Sequence, residues 1–121
     1  MNKLLFILLF LTSSVFAFED LTDATFDKKI ANKKVMVDFY SVYWGSCKIL
    51  GKNLTNFSTS TKPSDVEIYK VEISKQKAIA ARFNAFAVPM LVYFKDGKEV
   101  AREIGVRSVK QLEENVNKYL K

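Results

Sequence analysis

The chain holds one thiol, Cys47, in the run Tyr43-Trp44-Gly45-Ser46-Cys47-Lys48. A thiol attacks as its thiolate, which needs access and a lowered pKa, whereas apolar burial raises the pKa and hides the sulfur. With one cysteine no internal disulfide can form. Dithiol exchange, in which a second sulfur releases the partner bound to the first, is also excluded for the chain alone. The thiol is therefore either packed and inert or free to pair with another molecule. Three further residues break their surroundings. Asp38 lies in the apolar run Val35-Met36-Val37-Asp38-Phe39-Tyr40, where a carboxylate is costly unless paired or neutral. Lys70 interrupts the alternation of Val66, Ile68, Val71 and Ile73. Pro89 follows Val88, and an X-Pro bond can be cis at modest cost. With no histidine and one cysteine, neither an ordinary transition-metal site nor a Ser-His-Asp set can be assembled. No Gly-rich phosphate loop is present, and no cofactor is expected.

The elements that must position these residues alternate. Leu21 to Ile30 predicts a helix with Thr22 as N-cap and Phe26 and Ile30 on one face. Val35 to Tyr40 predicts a strand buried on both sides. Ser46 to Phe57 predicts a helix, and Ser58 to Asp65, with Pro63, a loop. Val66 to Ile73 follows as a strand, then Lys75 to Phe83 as a helix capped by Ser74. Met90 to Phe94 and Glu99 to Ile104 predict strands joined by a tight turn at Asp96-Gly97. Ser108 caps a last helix whose apolar positions are Val109, Leu112, Val116 and Leu120. A short strand at Phe18 to Leu21 completes the pattern. The order implies an α/β fold, a central mixed β-sheet flanked by helices on both faces.

The N-terminus reads as an address. Lys3, the apolar run Leu4 to Leu11 and the small residues of Val15-Phe16-Ala17 form a secretory signal over residues 1–17, leaving a domain over 18–121. The apolar run falls well short of the roughly 20 residues that span a bilayer, so cleavage is expected rather than a stable membrane anchor. The expected location is periplasmic or secreted, in a bacterium, and the sequons at Asn53 and Asn56 are expected to carry no glycan. A net charge of +6 is spread along the chain without a dense basic block, so nucleic acid is not an expected partner.

In this order and spacing the residues resemble the thioredoxin family over nearly all of residues 18–121. Leu21-Thr22-Asp23 with Phe26-Asp27 is similar to its opening helix, and Val37-Asp38-Phe39-Tyr40 to its central strand. Tyr43 to Lys48 stands where the family carries Trp-Cys-Gly-Pro-Cys-Lys. Val88-Pro89 stands at the family's cis-proline, and Phe94-Lys95-Asp96-Gly97 with Gly105 at its closing hairpin. The resemblance places Trp44 at the first, attacking cysteine, Ser46 at the proline and Cys47 at the second, resolving cysteine. It also implies a proton relay of Asp38 and Lys70 beside Cys47. A substrate surface of Tyr43, Trp44, Gly45, Ser46, Val88 and Pro89 would pair with extended peptide. The expected function is then a thioredoxin-like protein without a dithiol centre that binds extended segments of exported proteins. The alternative is a single-thiol redox protein that forms mixed disulfides through Cys47 with a thiol or disulfide partner.

Overall fold

The computed structural model describes residues 18–121; the expected leader, residues 1–17, lies outside the described residues. Five strands form one sheet in the order β1-β3-β2-β4-β5. They are β1 (Glu19–Asp20), β2 (Lys34–Tyr40), β3 (Val66–Glu72), β4 (Met90–Lys95) and β5 (Lys98–Ile104). β1, β3 and β2 run parallel, and β4 is antiparallel to both β2 and β5. Between them lie α1 (Phe26–Ile30), α2 (Gly45–Ser60) and α3 (Lys77–Arg82), with α4 (Val109–Tyr119) last. β1 and β5 are the two edges.

Period-two alternation along the central strand β2 splits the core. Val35, Val37 and Phe39 pack toward α1 and α3, where Phe26, Phe39, Phe83 and Phe94 form an aromatic cluster. Met36 packs on the opposite face with Leu50, Leu54 and Phe57 of α2 and Leu112 and Val116 of α4. Asp38 has the same parity as Met36, so the strand delivers its carboxyl to the α2 side. Each fully buried leucine or phenylalanine contributes roughly 1.5–3 kcal/mol relative to exposure.

Three boundaries differ from expectation by two residues or more. Leu21 to Thr25 is not helical. The Thr22 N–H donates to Thr25 Oγ1 at 3.0 Å and the Thr25 N–H to Thr22 Oγ1 at 3.2 Å, the reciprocal bonding of a cap at Thr22, with a turn over Asp23 to Thr25 before α1 begins at Phe26. α2 continues through Ser58 to Ser60, where the Thr59 and Ser60 hydroxyls bond back to the Thr55 and Asn56 carbonyls instead of drawing the backbone out of the helix. α3 begins at Lys77, and Ser74 does not cap it. The Ser74 hydroxyl donates to the Glu72 carboxylate, and that carboxylate also takes the Lys75 N–H at 2.8 Å. At the expected hairpin, Asp96 and Gly97 both have positive φ (53° and 78°), the conformation a two-residue turn between twisted strands requires.

Candidate functional site

β2 and β3 end side by side, at Tyr40 and Glu72, and at the same end of the sheet α2 begins. Carboxyl ends of parallel strands are where open α/β sheets place ligands. Ser41 to Trp44 leads from β2 into α2. Trp44 is the N-cap residue, with extended backbone and no side-chain cap bond, and Gly45 and Ser46 open the helix. Cys47 is its third residue, its N–H donating to the Trp44 carbonyl at 3.1 Å. One turn of helix thus separates opposite fates: Trp44 is 58% exposed and Tyr43 85%, while Cys47 is 5% exposed.

Burial pushes the Cys47 thiol above its ordinary pKa. A hydrogen bond from the Ser41 backbone opposes this and the nearby Asp38 adds to it. Burial likewise pushes the Asp38 carboxyl up to about 7, against the pull of Lys70 and with a push from Asp20. At neutral pH the sulfur is therefore held as thiol, and Asp38 stands between its two protonation states. Asp38 Oδ1 is buried without a hydrogen-bond partner among the described residues. Asp38 is among the residues lining a cavity of about 220 Å³, with Tyr40, Ser41, Cys47, Lys48 and Lys70.

Asp38 and Lys70 are register partners on β2 and β3, yet no ion pair joins them among the described residues. Lys70 turns outward instead. Its Nζ lies 3.6 Å from Asp20 Oδ2 and 5.3 Å above the Tyr40 ring, whose hydroxyl donates to Asp20 Oδ1 at 2.8 Å. The arrangement brings Asp38, Cys47 and Lys70 around one cavity but leaves the carboxyl without the cation at hydrogen-bonding range. Asp20 and Tyr40 escaped the sequence reading. Tyr40 was visible as the aromatic end of a strand, but Asp20 becomes significant only through the pairing of β1 with β3.

On the other side of the loop, the antiparallel register of Phe39 with Met90 brings Val88-Pro89 beside the end of β2. The Val88–Pro89 peptide is cis. Pro89 is buried, its carbonyl accepting the Gly105 N–H at 2.8 Å. Val88 is half-buried, and its backbone N–H and C=O take no partner among the described residues. Exposed apolar side chains gather at this end: Val42, Tyr43 and Trp44 from the loop, Phe86 ahead of β4, and Ile104 at the end of β5. Phe86 and Ile104 carried no signal in the sequence, because an apolar residue next to a strand reads as core.

The family model for thioredoxin matches residues 17–118. Thioredoxins of Staphylococcus aureus strains COL and MW2 are each 29% identical over 99 residues, which cover 82% of this chain and 94% of theirs. With its mixed five-stranded sheet and helices on both faces, the chain belongs to the thioredoxin family.

Proposed function

We propose that the protein is an exported member of the family in which Trp44 replaces the first active-site cysteine, and that it binds extended segments of exported proteins instead of cycling disulfides. The observation that carries this reading is the contrast within the loop. Val42, Tyr43 and Trp44 stand exposed directly ahead of a buried sulfur. Contiguous exposed apolar side chains mark interaction surfaces. The unpaired backbone of Val88 offers an incoming strand both a donor and an acceptor, the requirement of β-augmentation. Tyr43, Trp44, Gly45 and Ser46 would line one side of the bound segment, Val88 and Pro89 the other. The residual chemistry of Asp38 and Cys47 weighs against the single-thiol alternative, because burial keeps the thiol protonated and covered.

Trp44 is the only tryptophan, so emission excited selectively from tryptophan, clear of the tyrosines, reports on this surface alone. Titration with extended peptides should shift its emission to the blue, and an insulin–dithiothreitol assay should run at the uncatalysed rate. Labelling of native Cys47 by a thiol reagent as fast as that of the unfolded chain would overturn the reading in favour of mixed-disulfide chemistry.

A further inference from the structure

α2 carries charges that oppose its own stability. Its sequence, Gly45 to Ser60, contains Lys48 and Lys52 and no acidic residue. Lys48 lies at the end of the first turn, where the helix macrodipole disfavours cations, and Lys52 a turn further in. They stand four residues apart, where like charges repel. Both are exposed, and neither forms an ion pair among the described residues. Spacings of four put Trp44, Lys48 and Lys52 on one side of the helix, so the exposed tryptophan continues into a basic ridge.

The carboxylates at this end of the sheet do not answer that charge. Asp20 is taken by Lys70 and Tyr40, Glu72 by Ser74 and the Lys75 N–H, and Glu103 by Arg107 at 2.9 Å. Asp38 is 5% exposed and lies inside the cavity. Glu72 is buried, with one oxygen unpartnered among the described residues, so the exposed charge beside the apolar patch that lacks an ion pair is positive. A local arrangement that works against folding, with no offsetting ion pair among the described residues, is expected where a ligand supplies the missing partner.

We propose that the segment taken by this surface is acidic: an extended peptide that sets an apolar or aromatic side chain against Val42–Trp44 and carboxylates against Lys48 and Lys52. The proposal rests on the peptide-binding reading above and specifies its partner. The dimensions agree. Four residues of helix rise about 6 Å, and two residues of extended chain advance about 6.6 Å with side chains on the same side. Carboxylates two and four residues from the apolar anchor therefore reach the two lysines in turn.

The test uses the full chain and two synthetic peptides, each an aromatic anchor followed by alternating Glu or, in the matched control, alternating Gln. Trp44 emission should report about tenfold tighter binding of the Glu peptide at low salt, and about 0.5 M salt should largely erase the preference. The Lys48→Gln/Lys52→Gln double variant should bind the two peptides alike while melting at or above the wild-type temperature, since the substitutions remove a repulsion. Equal affinity of the wild type for both peptides overturns this proposal and leaves the binding reading in place; no response to either overturns both. An emission shift that follows protein concentration without peptide assigns the surface to a second copy of the chain and also overturns the proposal.

Discussion

Asp38 is a carboxyl for which the fold offers a neutral form and little else. Its pKa of about 7 against an ordinary 3.8 means that the folded protein holds a proton the unfolded chain has released. An acid raised in this way stabilises the fold fully below the unfolded pKa. That contribution is lost as pH climbs through the folded one. Between about pH 4 and pH 7 the wild type should therefore lose stability relative to Asp38→Asn, by up to about 4 kcal/mol, read from urea unfolding at the two ends of that window. Asp20 sets part of this value from outside. It draws Lys70 away and adds negative charge, so Asp20→Asn should lower the Asp38 pKa, measured by NMR titration of its carboxyl. An unmoved titration would show that Lys70 does not exchange between the two carboxylates. The oddity of Asp38 was legible in the sequence because a charge in an apolar strand has few explanations. The outward turn of Lys70 was not, because its partner lies 50 positions away in a strand of two residues.

At the level of elements, local chemistry was read best where it is self-contained. The Ser108 side chain accepts the Gln111 N–H at 3.2 Å, and the Gln111 side chain takes the Ser108 N–H at 2.9 Å, a reciprocal cap written in four consecutive residues. Ser108→Ala should cost about 1 kcal/mol in chemical denaturation, while a loss below a few tenths would mean that packing of Leu112 and Val116 alone holds the helix. The Asp96-Gly97 turn was legible for the same reason. α3 begins later than its periodicity implies because Glu72 takes the Ser74 hydroxyl and the Lys75 N–H, a choice that periodicity does not record.

At the scale of the molecule, the sheet divides two apolar compartments, and only one carries the candidate site. Phe26 is fully buried against Phe39, Phe83 and Phe94, on the face away from α2. Phe26→Ala should destabilise the protein by about 3–5 kcal/mol in urea while leaving Trp44 emission in the remaining folded protein unchanged. A shifted emission would show that the two compartments communicate. The sheet also has a long free edge at β5, where four of seven residues are charged: Lys98, Glu99, Arg102 and Glu103. A neighbouring molecule laid along it would have to strip water from these groups, which discourages fibrillar stacking in concentrated solution. The uncharged stretch Phe86 to Val88 has no such guard. On the binding reading proposed above, a foreign strand would be taken at this short berth, and the charged edge of β5 would keep the protein from becoming sticky along its length.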